Sequence, residues 1–330
     1  MSSIKEVAQA AGVSTATVSR VLSNKPHVRQ ELKEHVLKVA QEMNYRPNGL
    51  ARSLRTQKAD IIGLIVSDIQ NPFFTMVSRA VEDAASEQGL NVFLCNSDSS
   101  PEKEAMYLEH MRDQRISGLI ISPSDEFRQN FSILRGSHLP VVIIDRQYSG
   151  EDIDCIQTNN FEAAFLATSH LAEHGYENIA AIFGSESSTG RERHAGYIEA
   201  LNTFNIPKND KYIKFIPATE LDGFLATKAL LTQPNPPRAL FASNGLLAAG
   251  ALRALHHLDI RIPDQLALLT FDDTPWAALT SPKLSVIAQP TYDIGRTAFE
   301  LLAKRMNNPE RAARTLTLNS QMILRNSCGC

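Results

Sequence analysis

From residue 61 to the end, short apolar runs alternate with longer amphipathic stretches, and this rhythm constrains the fold more than any other feature. The runs IIGLIV (61–66), NVFLC (91–95), GLIIS (118–122), VVIID (141–145), NIAAIF (178–183), RALFA (238–242) and LALLTF (266–271) read as strands. Helical patterns fill the gaps, over 75–88, 102–114, 161–174, 191–204, 222–232 and 245–258. Continuous apolar strands separated by helices predict parallel sheets covered on both faces. The stretch is longer than one sheet needs, so two α/β lobes are expected. None of the apolar runs is long enough to span a bilayer.

Residues 1–60 differ in character. They carry ten Lys/Arg against five Asp/Glu, whereas the remainder carries 23 basic against 31 acidic residues. A basic head on an acidic body implies that the head meets a polyanion. Ile4, Val7, Ala8 and Ala11 recur at helical spacing, and Gly12 supplies the left-handed residue that ends such a helix. Ser14 then caps a second helix running to Leu22. Val18, Val21 and Leu22 share its inner face; Thr15, Ala16, Ser19 and Arg20 share the outer one. Leu32, Val36, Val39, Ala40 and Met43 lie on a third helix that closes a small core, with Lys33 and Lys38 outside it. Two helices joined by a tight glycine turn, with small residues and an arginine outermost, form a helix-turn-helix pattern. Thr15 suits a base or phosphate contact, Ala16 a thymine methyl, and Arg20 a bidentate contact to guanine. The candidate DNA contacts are Ser14, Thr15, Ala16, Thr17, Arg20 and, past the helix, Asn24. A bundle with a solvated arginine remains the plain alternative.

Pro47 breaks the third helix and Asn48 caps a short segment, 49–55, bearing Leu50, Leu54, Arg52 and Arg55. So short a helix is marginal alone in water. Paired with its copy in a second subunit, it suits insertion of Leu54 as a minor-groove wedge beside Arg55. A simple linker is the other reading.

IKEVAQAAGVSTATVSRVLSN followed by NYRPNGLARSLR closely resembles the DNA-binding segment of LacI/GalR-family transcriptional regulators. The resemblance implies base-reading roles for Thr15, Ala16 and Arg20, an intercalating role for Leu54 and a minor-groove role for Arg55. It continues through IGLIVSDIQNPFF, RERHAGYIEAL, FASNGLLAAGALRAL and FDDTPWAALTSPKLSVIAQP. The implied fold is a two-lobed, periplasmic-binding-protein-like parallel-sheet domain preceded by an all-α helix-turn-helix headpiece. The expected division is 1–47 for DNA binding, 48–59 for hinge and linker, and 60–330 for effector binding and dimerisation. The chain is expected to cross between lobes near 159–162, 289–292 and 319–322.

In open parallel sheets, ligands bind beyond the carboxyl ends of the strands. There the sequence places Asp68 and Asn71, Asp145 and Arg146, Asn244, and Asp272 with Asp273. Phe73, Phe74 and Trp276 lie near by, a set suited to a polyhydroxylated ligand. Taken singly, each is as well explained as a helix or turn cap. The resemblance adds Arg193 and Gln289, repeats Phe73, Phe74, Asp145, Asn244 and Asp272, and brings in Arg191, two residues from Arg193. The family often has Asn-Asp at 244–245 and Asp-Asn at 158–159, where this chain has Asn-Gly and Thr-Asn. Two acidic groups fewer, with Arg146, Arg191 and Arg193 kept, widen the expected effector from a sugar to a sugar acid or sugar phosphate.

No GxGxxG follows the first strand, and GxxxxGK[ST], HExxH and GxSxG are absent. No cofactor, metal or catalytic residue is expected. Cys328-Gly-Cys330 has no neighbouring partner set in sequence, so an inert tail is expected. Lys5 and Glu6 stand where a signal peptide needs an apolar core, so the cytoplasm is the expected compartment. The reading is a homodimeric repressor of a carbohydrate-use operon on pseudo-palindromic operator DNA, with no membrane partner. No heptad repeat follows the last apparent strand (322–325), so nothing implies a tetramer. A transporter's solute-binding component would share the body but need an export signal and have no use for the head. A sugar-related enzyme would need a catalytic set that the chain does not offer.

Overall fold

A computed structural model describes residues 3–22, 28–45, 60–124, 127–148, 153–185 and 187–330. Contacts divide the chain into two units, Met1–Ala59 and Asp60–Cys330.

The first unit holds α1 (Ile4–Ala10), α2 (Thr15–Leu22) and α3 (Gln30–Glu42). Ser3 and Glu6 form a reciprocal capping box that satisfies the first amides of α1. Gly12, at φ +64°, turns the chain, and its neighbour Val13 donates to the Ala8 carbonyl at 3.0 Å. Ser14 Oγ accepts from the Thr17 amide at 3.1 Å and starts α2. Val7, Ala8, Ala11, Val18, Val21, Val36 and Ala40 are buried together, with Leu32, Val39 and Met43 packed on them. The helical periodicity therefore identifies the inner faces of all three helices.

The second unit contains two six-stranded sheets. One comprises β1 (Ile61–Val66), β2 (Asn91–Asn96), β3 (Gly118–Ile121), β4 (Val141–Ile144), β5 (Asp154–Thr158) and β11 (Thr315–Leu318), ordered β11-β5-β4-β3-β1-β2. The other comprises β6 (Ile179–Gly184), β7 (Ile213–Ile216), β8 (Ala239–Ala242), β9 (Ala267–Phe271), β10 (Ser285–Ala288) and β12 (Gln321–Ile323), ordered β12-β10-β9-β8-β6-β7. Apart from the antiparallel pair β10–β12, neighbouring strands run parallel. Apolar clusters line both faces of each sheet, which is why β1, β3, β4, β6, β8 and β9 read as unbroken apolar runs.

The chain passes between sheets three times: after β5, after β10, and between β11 and β12. The helix Thr291–Asn307 returns to the first lobe, where Ile294, Ala298, Phe299 and Leu302 join the cluster of Ile62, Leu64, Val77 and Val81. Gly295 permits the approach: a Cβ there would lie 2.5 Å from the Val77 carbonyl oxygen. Asp154, fully buried at the start of β5, accepts from Arg305 Nε (2.7 Å), Arg311 (2.6 Å) and the Arg314 amide (3.0 Å), pinning this return.

One expectation needs correction: strands β5, β7, β10 and β11 are additional to the apolar runs read from sequence. The C-terminal tail is fixed in place, because the second sheet supplies partners that are distant in sequence. The Leu268 amide donates to the Ser327 carbonyl at 2.8 Å, and Cys328 is fully buried, with Ser285 Oγ donating to its sulfur at 3.1 Å. Among the described residues, no helix is long and apolar enough to cross a membrane.

Candidate functional site

On the first unit, Ser14, Thr15, Ala16 and Arg20 are exposed along α2 while Val18 and Val21 face inward. Ser14 Oγ lies 2.9 Å from Thr17 Oγ1 and also caps the helix. These two hydroxyls hold each other, leaving Thr15, Ala16 and Arg20 as the outward groups. Asn24, Leu54, Arg55 and the hinge 48–59 lie outside the described residues.

In the second unit, a cavity of about 350 Å³ opens where the strands of the two sheets end. Of the twelve effector candidates, ten line it: Asp68, Asn71, Phe73, Phe74, Asp145, Arg146, Arg193, Asn244, Asp272 and Gln289. Arg191 does not. It is exposed, because residues two apart on the helix Ser188–Thr203 point to opposite sides and Arg193 faces inward. Trp276 does not either; the turn after β9 lays its ring against the second lobe's own apolar cluster. Asp273 turns outward to Arg325 at 2.8 Å.

Several lining residues also build the scaffold. Asn71 Oδ1 accepts from the Phe73 amide (3.0 Å) and caps the helix Pro72–Glu87; Asn244 Oδ1 accepts from the Leu247 amide (2.8 Å) and caps Gly245–His257. The Phe73 and Phe74 rings meet edge to face with centroids 4.9 Å apart, an apolar patch on the cavity wall. Arg193 donates through Nε to Asn160 Oδ1 (2.9 Å) and through a terminal nitrogen to the Ser243 carbonyl (2.6 Å). Its guanidinium carbon sits 3.6 Å from the Phe271 ring centroid. Burial pulls its pKa down, against the nearby Asp272, Asp145 and Glu192. Arg146 donates to Ser99 Oγ at 3.2 Å, and its Nε lies 3.9 Å from Asp145. Burial raises the Asp145 carboxyl above the ordinary range, with Arg146 and Arg193 opposing. Burial likewise raises Asp68, although the Gln70 amide donates to it.

A hydrogen-bonded chain joins the second crossing to the pocket. Thr158 Oγ1 donates to Gln289 Oε1 (2.9 Å), Gln289 Nε2 to Asp272 Oδ1 (2.6 Å), and the Gly245 amide to Asp272 Oδ2 (3.1 Å). The two departures from the family pattern, Thr158 and Gly245, are thus both tied into this network. A Cβ at Gly245 would come 2.7 Å from Thr274 Cγ2.

Other lining residues escaped the sequence reading: Asp98 and Ser99 after β2, Ser187 and Thr189 after β6, and Thr219 and Glu220 after β7. The strand-end rule, applied to every strand legible in the sequence, finds the first four; the last two follow β7, which the apolar pattern does not reveal. Carboxylates from Asp68, Asp98, Asp145, Glu220 and Asp272 outnumber the two guanidinium groups of the lining.

A helix-turn-helix unit followed by two parallel-sheet lobes that hold a polar cleft defines a ligand-responsive DNA-binding regulator. Residues 3–48 match the bacterial regulatory proteins of the lacI family, and residues 168–328 match the periplasmic binding protein-like domain. A ribose operon repressor from Halalkalibacterium halodurans is 35% identical over 98% of this chain and 96% of the relative. A transcriptional repressor, PurR, from Mannheimia succiniciproducens is 31% identical over 99% of this chain and 98% of its own. The crystal structure of a LacI family transcriptional regulator from Enterococcus faecium with bound ribose superimposes with a TM-score of 0.75 at 28% identity. It covers 81% of this chain and 98% of that one. The chain belongs to the lacI family of bacterial regulatory proteins.

Proposed function

We propose that the chain is a cytoplasmic homodimeric repressor of a carbohydrate-use operon, with an uncharged pentose of the ribose type as its effector. The observation that carries the effector class is the lining: five carboxylates, of which Asp98 pairs with Lys103 and Glu220 with Arg253, and two engaged arginines around aromatic rings, in a cavity of about 350 Å³. Carboxylates accept from sugar hydroxyls and repel phosphate or acid groups, so within the sugar, sugar-acid and sugar-phosphate range the neutral sugar is favoured. The names of the ribose operon repressor and of the ribose-bound regulator support the same choice.

In this reading Thr15, Ala16 and Arg20 read base edges in the major groove, with Ser14 and Thr17 setting the helix start and Asn24 contacting the flank. Leu54 and Arg55 act in the minor groove, paired with their copies in the second subunit. A dimer matches the two-fold symmetry of a pseudo-palindromic operator. Asp68, Asn71, Phe73, Phe74, Asp145, Arg146, Arg193, Asn244, Asp272 and Gln289 hold the sugar. Effector and operator are coupled only insofar as each prefers one arrangement of the lobes. The reading assigns the chain no catalytic step.

The test is calorimetry with ribose, ribose 5-phosphate and ribonate, followed by gel-shift titration on the region upstream of its own gene. Ribose binding well above the other two, with a change in operator affinity, supports the reading. Preference for an anionic compound, or no sequence-preferring DNA binding, overturns it.

A further inference from the structure

Away from the cleft, the fold supplies Cys328 and Cys330 with the partner that the linear sequence does not show. His170, on the helix Asn160–Glu173, brings Nε2 to 3.4 Å from Cys330 Sγ, and the ligand atoms of His170, Cys328 and Cys330 all lie within 4.8 Å of one another. A zinc ion held by sulfur at about 2.3 Å and nitrogen at about 2.0–2.1 Å places neighbouring ligand atoms roughly 3.5–3.8 Å apart. The Cys330–His170 separation already approaches that edge.

We infer that His170, Cys328 and Cys330 form a binding site for a zinc-class divalent ion, which clasps the C-terminal tail to the helix that opens the second lobe. Two thiolates and one imidazole are a soft to borderline donor set, which excludes calcium and magnesium as occupants. His170 and Cys328 are buried and Cys330 is exposed, so the pocket is walled by protein and open on one side. The tail is held independently of any ion: Tyr176 Oη donates to the Cys328 carbonyl at 3.2 Å, and Gly329 takes φ +81°. The donor atoms therefore start close to their ligating positions, and little ordering is needed on binding. Three protein ligands leave a fourth position for water or a small anion.

The test uses the full-length protein, reduced and stripped of metal, with cobalt(II) as the spectroscopic probe and zinc as competitor. One equivalent of cobalt per chain is expected, giving a thiolate-to-cobalt charge-transfer band and tetrahedral visible bands that zinc abolishes. C330S, at an exposed position, and H170Q should each weaken zinc binding at least about tenfold, since even the loss of a group that only supports a ligand costs a metal site about that much. C95S, remote in sequence and chain position, should retain it. Zinc should also raise the melting temperature of the parent protein and not that of C330S. Cobalt binding without a thiolate band, or zinc affinity unchanged in both C330S and H170Q, overturns the site.

Discussion

Asp145 and Asp272 hold equivalent positions in the two lobes: each directly follows a central strand and donates its amide to the strand next outward. The acceptors are Ile156 O at 2.9 Å and Ile287 O at 2.8 Å, and both residues adopt left-handed backbone, at φ +70° and +72°. Short polar residues tolerate this region better than most side chains, which fits an aspartate at both places. The cleft is therefore floored by two copies of one local device, each presenting a carboxylate.

Replacing Asp145 with Asn preserves shape and backbone preference while removing charge. A charge-assisted hydrogen bond contributes about 1.5–3 kcal/mol, so ribose affinity should fall about ten- to hundredfold in Asp145→Asn, read by calorimetry. Asp272→Asn should also lower stability, because Asp272 accepts from both Gly245 and Gln289 and an amide nitrogen would face one of those donors. A urea melt distinguishes the two variants.

The acidity of Asp145 sets a pH dependence. Burial raises its folded pKa, so the native state takes up this proton more readily than the unfolded chain. Its contribution to stability is greatest below the ordinary carboxylate value and is lost as pH rises through the folded value. Binding runs the other way, since the ionised form accepts the sugar hydroxyls. Ribose affinity should decline as pH falls through the raised value of Asp145, above the ordinary carboxylate range, with a shallower slope in Asp145→Asn. Isothermal titrations across that range check the sign.

Arg191 and Arg193 should separate cleanly. Arg193→Met leaves Asn160 Oδ1 and the Ser243 carbonyl without their buried donor, and should cost about 2–4 kcal/mol along with effector binding. Arg191→Ala, on the outer face, should stay within about 0.5 kcal/mol and bind ribose unchanged. Thermal melts with and without ribose test both.

Arg20→Ala should lose about 1–3 kcal/mol of operator affinity, with a much smaller loss on random DNA. Because Arg20 is exposed on α2, the melting temperature should not move. Equal losses on both DNAs would argue for a phosphate contact instead.

Asp154→Asn should be the most damaging of these changes. It leaves Arg305 and Arg311 without their buried counter-charge, a defect of about 3–5 kcal/mol, visible as a lower urea midpoint.

The sequence disclosed the central strands because both of their faces are buried, which produces unbroken runs such as Val141–Ile144. It concealed β5, whose Asp154 and Gln157 interrupt the apolar pattern, and β11, whose Thr-Leu alternation matches a half-exposed edge. Strand β7 is a four-residue edge strand carrying Lys214. In the site, the strand-end rule placed Asp68, Asp145, Asn244 and Asp272 directly. Trp276 lies outside the cavity lining; nearness in sequence to Asp272 says nothing about the turn between them. The partnership of His170 with Cys330 spans 160 positions, and no local pattern encodes it.

The three passages between the lobes have a consequence for synthesis. The first sheet takes its edge strand from Thr315–Leu318 and part of its cover from Thr291–Asn307, so residues 61–158 emerge from the ribosome long before their fold can be completed. The second sheet waits for Gln321–Ile323. A nascent chain must therefore carry two unfinished sheets until residues 291–323 have been made, and a stop after residue 290 would cripple both halves at once rather than spare the earlier one.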